Sequence, residues 1–182
     1  MNPSPKHLQR VLSGVLALCL FTLAAETRPA RAEDLSRWES LAQGGAAVKI
    51  ALDSASPRDG QNTNSLRLTV ENTGARAGIV HHEIAAADLR PGQWCDLAFY
   101  ARTETGKTFA LTVSLESRDG QKVCARATIP EVGGAWTKYS LALNVRQAGS
   151  KCRMVITMAE PGTIWLNGIS FATRQNLQNP GP

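Results

Sequence analysis

Ser65-Leu66-Arg67-Leu68-Thr69-Val70-Glu71 alternates apolar and polar side chains step by step. Successive side chains of an extended chain point to opposite faces, so Leu66, Leu68 and Val70 share one face and Arg67, Thr69 and Glu71 the other, the signature of a half-buried strand. Similar runs occupy 48–52, 78–84, 94–102, 109–116, 122–129, 136–145, 152–159 and 163–171. Turn-forming residues punctuate them: Asn72-Thr73-Gly74, Pro91-Gly92, Arg118-Asp119-Gly120, Gly133-Gly134 and Pro161-Gly162. The one helical pattern after residue 32, at 85–89, is too short to form a layer. Nine strands with no helices between them predict an all-β, antiparallel two-sheet sandwich rather than a parallel sheet with crossover helices. Arg-Asp-Gly-Gln occurs at 58–61 and again at 118–121, but the flanks differ, so these are two independent Asp-Gly turns rather than a repeat.

Working outward, residues 1–32 carry the features of a secretory leader. Lys6 and Arg10 precede an apolar stretch at 11–25, and Ala30-Arg31-Ala32 supplies a small-x-small cleavage site before Glu33. An uncleaved anchor would need about 20 apolar residues, and Cys19 follows the bulky Leu18, which does not suit lipoprotein processing. The expected organisation is a cleaved signal peptide at 1–32, a β-sandwich domain at 33–172 and a flexible tail at 173–182, in a secreted or periplasmic protein with no membrane partner after cleavage. The net charge of +5 is mostly in the leader; beyond it 16 Lys and Arg face 14 Asp and Glu, a net of +2. Scattered, nearly balanced charge gives no footprint for phosphate binding, so nucleic acid is not an expected partner.

Three cysteines follow the leader, Cys95, Cys124 and Cys152, none at Cys-x-x-Cys spacing. Zinc and thioredoxin-like chemistry lack their geometry. There is no Gly-x-Ser-x-Gly elbow and no phosphate-cradling loop, and the adjacent His81 and His82 would point to opposite faces of a strand. Neither a metal nor another cofactor is expected.

The segments Ser65-Leu66-Arg67-Leu68, Trp94-Cys95-Asp96-Leu97-Ala98-Phe99-Tyr100-Ala101-Arg102, Trp136-Thr137-Lys138-Tyr139-Ser140-Leu141 and Ile164-Trp165-Leu166-Asn167-Gly168-Ile169-Ser170-Phe171 arrive in an order and spacing that resemble a galactose-binding-like jelly roll. The resemblance is to carbohydrate-binding modules of families 4 and 9 and to the accessory module of family 51 arabinofuranosidases, over roughly 35–171. It implies that the strands beginning at Gly78, Cys152, Phe109 and Lys122 form one sheet and those at Ser65, Thr163, Trp94 and Trp136 the other. It also implies sugar binding on the outer face of the first sheet. Asn167 stands where these modules usually carry Asp, which removes a charged oxygen from any structural calcium site.

Strand phase then selects the side chains on that face. With Leu111, Val113 and Leu115 inward, Thr112, Ser114 and Glu116 point out; with Val123, Ala125 and Ala127 inward, Cys124, Arg126 and Thr128 do. Met154, Ile156 and Met158 inward leave Arg153 and Thr157 outside, and Val80 and Ile84 inward would turn His81 and Glu83 outward. The candidate ligand-binding face is therefore His81, Glu83, Thr112, Ser114, Glu116, Arg126, Arg153 and Thr157. It is polar and ringless, suited either to hydroxyl or uronate recognition or to plain solvation with cross-strand ion pairs.

The aromatic residues fall elsewhere. Trp94, Tyr100 and Trp165 are out of phase with their apolar neighbours, which puts them on the other sheet's outer face as a candidate docking surface for a protein partner. The segment around Leu35, Trp38 and Leu41 could instead cover it. Trp136, at a strand start, reads as a core or edge anchor. Glu83 and Glu116 are the one carboxyl pair on the polar face, but the basic groups around them would keep both ionised, so no catalysis is expected. The resulting expectation is a non-catalytic carbohydrate-binding module, with a structural or docking module as the alternative. On the jelly-roll layout the three thiols gather at one end, with Cys95 and Cys152 inward and Cys124 outward. If a disulfide forms, it would join Cys95 to Cys152 and leave Cys124 free or paired between molecules, the alternative being three buried or half-buried thiols.

Overall fold

The computed structural model describes residues 35–85 and 88–174. The expected leader and the chain beyond Arg174 lie outside the described residues. A 3-10 turn at Leu35–Arg37 leads into ten strands: β1 (Trp38–Gln43), β2 (Ala47–Asp53), β3 (Ser65–Asn72), β4 (Arg76–Ala85), β5 (Trp94–Thr103), β6 (Phe109–Glu116), β7 (Val123–Val132), β8 (Thr137–Asn144), β9 (Cys152–Met158) and β10 (Gly162–Thr173). They form two five-stranded sheets, β1-β4-β9-β6-β7 and β2-β3-β10-β5-β8, antiparallel throughout. This is the expected jelly-roll sandwich, with both predicted strand sets in their predicted sheets.

Alternation is what builds it. Leu66, Leu68 and Val70 of β3, Cys95, Leu97, Phe99 and Ala101 of β5, Leu111, Val113 and Leu115 of β6, and Met154, Ile156 and Met158 of β9 all turn into one core. Each large side chain buried there contributes about 1.5–3 kcal/mol. Among the described residues no helix is long and apolar enough to cross a membrane.

The structure corrects the expectations at four places. First, β1 is an unforeseen strand, paired with β4. Its two buried side chains, Trp38 and Leu41, are three residues apart and so lie on opposite faces. Trp38 enters the main core, while Leu41 packs with Val80 and Val155 in a small separate cluster. No period-two signal results, and this segment cannot also cover the Tyr100 and Trp165 surface on the other sheet.

Second, β4 has the opposite phase. Ala77 and Ile79 enter the main core, whereas Val80 is buried on the outer side. With consecutive apolar residues at 79 and 80 the parity of the strand is not legible from hydrophobicity alone. His81 therefore turns inward, edge-on to Trp38 with ring centroids 4.8 Å apart.

Third, the β6–β7 ladder steps from Leu115↔Ala125 to Glu116↔Val123, a bulge that skips Cys124. Cys124 is consequently buried in the core and not outward. Fourth, β10 continues through Thr173, which pairs with Cys95, and Arg174 makes two hydrogen bonds to Asp96 at 2.8 and 2.7 Å, so the ordered domain extends past the expected boundary at 172.

Candidate functional site

The outer face of β1-β4-β9-β6-β7 is laid out by the cross-strand register. Gly78, Thr157, Thr112 and Thr128 lie abreast on β4, β9, β6 and β7. The Thr112 and Thr128 hydroxyls are 3.5 Å apart, and Thr157 donates to the Thr112 carbonyl at 3.4 Å. The neighbouring row is Glu39, Val80, Val155, Ser114 and Arg126. Arg126 is exposed on the edge strand β7. Beyond it Arg153 and Glu116 pair.

Glu116 is the centre of the face's polar structure. Its carboxylate is fully buried, yet it accepts from Ser114 Oγ at 2.7 Å, Arg153 Nη2 at 3.1 Å and Arg76 Nη1 at 3.2 Å, with a further bond from Arg76 Nη2. Burial alone would raise its pKa, but the hydrogen bonds from Arg76 and Ser114 and the Arg76 charge outweigh it and hold the carboxyl below its ordinary value. Arg153 is largely buried too, and Gly120, at φ 76°, is packed so closely against its guanidinium that a side chain there would overlap it. The Arg153 Nε is buried without a partner among the described residues. At the end of the face His82 Nε2 lies 3.0 Å from Glu39 Oε2, beside a depression of about 600 Å³ lined by Ser36, Arg37, Glu39, His82, Glu83 and Arg118.

Of the predicted face, Thr112, Ser114, Glu116, Arg126, Arg153 and Thr157 are brought together on this one surface. His81 is not: it faces the core, and burial followed by the Arg37 charge lowers its pKa. Glu83 sits at the rim, its carboxylate 3.9 Å from Arg37. Sequence reasoning missed Arg76, whose role needs the tertiary fold, and His82 and Glu39, which the correct parity of β4 and recognition of β1 would have found. It also left Thr128 out of the face despite assigning it the right phase.

The candidate docking surface is not one patch. Tyr100 and Trp165 do project from β2-β3-β10-β5-β8, where Asn167 pairs with Tyr100 and Trp165 with Arg102. Trp94 is six residues along β5 from Tyr100, about 20 Å away. Each ring is capped by a cation: Arg58 lies 4.1 Å from the Tyr100 centroid, Arg102 4.1 Å from Trp165 and Arg174 5.9 Å from Trp94. Trp165 Nε1 donates to Asp53 at 2.8 Å, and that bond is the largest of the effects lowering the Asp53 pKa. Trp136 is half-buried, with Arg102 5.6 Å from its ring, rather than a core residue. Asn167 is buried, donating to the Asn64 carbonyl at 2.8 Å.

No protein-family model matches the chain, and no curated protein matches it by sequence. Solved structures do. The arabinose-bound α-L-arabinofuranosidase MgGH51 superposes with a TM-score of 0.66 at 20% identity, over 76% of this chain but only 23% of its own. This chain thus spans about a quarter of that enzyme's length. The CBM22-1 xylan-binding domain of Paenibacillus barcinonensis Xyn10C matches with a TM-score of 0.57 at 15% identity over 80% of this chain and 90% of its own. A family 4 carbohydrate-binding module matches with a TM-score of 0.55 at 12% identity over 78% and 92%. At these identities the likeness establishes a common jelly-roll fold.

Proposed function

We propose that this chain is an exported, non-catalytic carbohydrate-binding module that takes a poly- or oligosaccharide on the outer face of β1-β4-β9-β6-β7. The observation that carries the reading is the buried Arg76–Glu116–Arg153 cluster on the same sheet face as a row of threonines. An ion cluster is a costly thing to build into a sheet face if the face only needs to be wet. Here it fixes planar donors and a carboxylate on the same face as the Thr157, Thr112 and Thr128 hydroxyls, polar groups of the kind that read sugar hydroxyls. Two solved folds like this one, of comparable length, are carbohydrate-binding modules. The capped rings and distant Trp94 on the opposite sheet favour this face over docking through Trp94, Tyr100 and Trp165.

The same cluster supports the non-catalytic reading. A glycosidase acid must hold a proton near neutral pH, and Glu116, with its lowered pKa between two arginines, is ionised there. Export rests on the leader, and sequencing of the secreted protein is expected to begin at Glu33.

Native affinity electrophoresis through gels containing arabinoxylan, mixed-linkage glucan or polygalacturonate tests the reading. At least one polysaccharide is expected to retard the protein, and Arg126→Ala and Thr128→Val, both exposed positions that leave the core intact, are expected to weaken the retardation. Unchanged mobility in all three gels would overturn it.

A further inference from the structure

We propose that Cys124 and Cys152 form an intramolecular disulfide in the oxidised protein, tying β7 to β9 across the core side of the sheet that carries the polar face. This does not depend on sugar binding. The two sulfurs lie 3.6 Å apart, and both side chains are fully buried. The fold brings them together by two local devices. β6 separates β7 from β9 but ends at Glu116, whose partners are Val123 on one side and Arg153 on the other, so Cys124 and Cys152 sit where the intervening strand stops. The bulge at Leu115 and Glu116 then turns Cys124 inward toward Cys152. Closing the gap from 3.6 Å to a bond of about 2.05 Å is a movement on the scale of side-chain rotation.

The surroundings are shaped to the pair. Gly149 lies against both sulfurs, and a Cβ there would overlap each of them. Its backbone is held in place by reciprocal bonds to Leu89, 2.7 and 3.1 Å long, and Arg146 N donates to the Cys124 carbonyl at 2.8 Å. The segment 145–149 thus straps the thiols from outside. Cys95 is buried on the facing sheet, and among the described residues no sulfur contact joins it to either partner.

The oxidant is a second disulfide, of a small molecule or a protein. One cysteine thiolate attacks it and expels a thiolate, and the other attacks the resulting mixed disulfide and expels the second. Two protein S–H bonds are replaced by one S–S bond, and the oxidant leaves as two thiols, having taken up two electrons and two protons. Burial and the adjacent Cys124 push the Cys152 thiol well up, so little thiolate exists in the folded protein. Exchange therefore belongs to folding, before the strap at 145–149 closes, and the finished bond is equally shielded from reductants.

The full-length chain, denatured and reduced, is refolded in reduced and oxidised glutathione, alkylated in denaturant and digested with trypsin. The expected product links the peptide Val123-Cys124-Ala125-Arg126 to Cys152-Arg153, with Cys95 alkylated. The oxidised protein should melt about 5–10 °C above the same protein refolded with excess reductant, and Cys95→Ser should retain both the linkage and the shift. Alkylation of all three of Cys95, Cys124 and Cys152 after oxidative refolding, or a linkage that includes Cys95, would overturn the proposal.

Discussion

Glu116 and His81 show how one residue's surroundings set the pH limits of the whole fold. Glu116 has a folded pKa below its ordinary 4.5, so its contribution to stability is complete above pH 4.5 and is lost as the pH falls through the folded value. His81 also has a folded pKa below its ordinary 6.5, because burial disfavours the imidazolium. The unfolded chain gains that proton first, so the contribution of neutral His81 is complete above pH 6.5 and fades as the pH drops further. Acid destabilisation should therefore arrive in two stages. In melting-temperature profiles His81→Leu is expected to flatten the stage that begins near pH 6.5 and leave the lower one. Glu116→Gln should flatten the stage below pH 4.5 while lowering stability at neutral pH by about 3 kcal/mol, because Arg76 and Arg153 lose their shared counter-ion. A single acid transition unaffected by either substitution would show that neither group titrates as the geometry requires.

At the level of elements, legibility depended on whether burial followed the pleat. In β3, β5 and β6 the fully buried apolar residues sit on one face, so strand, phase and outward side chains were all readable from the sequence. The strands that were misread bury side chains on both faces. Leu41 of β1 and Val80 of β4 join Val155 of β9 in a small apolar island on the polar face, and that island disguised one strand and inverted another. The Cys124 bulge is a third kind of failure, since a register slip leaves no mark in local hydrophobicity. The phase of β4 has a direct mutational consequence. His81→Ala removes a ring packed on Trp38 and should cost about 2 kcal/mol in urea denaturation, whereas His82→Ala, which breaks an exposed pair with Glu39, should stay within about 0.5 kcal/mol. The reverse order would restore the phase expected from sequence.

For the molecule as a whole, the two sheets divide their chemistry: the rings stand on β2-β3-β10-β5-β8, each under an arginine, and the hydroxyls and the buried ion cluster on β1-β4-β9-β6-β7. A sugar-binding face without a ring forgoes stacking on the sugar's apolar side, so supplying one is a sharper test than removing what is there. Thr128 is exposed, lies on the edge strand β7 and ends the threonine row, so Thr128→Trp can be accommodated without repacking the core. A glycan lying along Thr157 and Thr112 would meet the new indole, and affinity should rise roughly 3–10-fold, the worth of one stacking contact. Lys138→Trp is the matched control, an equally exposed position beside Tyr100 on the opposite sheet, and should leave affinity unchanged. Titration calorimetry with the polysaccharide that retards the native protein separates the outcomes. A gain in Lys138→Trp alone would move the binding surface to the aromatic sheet and return the opposite face to a solvated, ion-paired role.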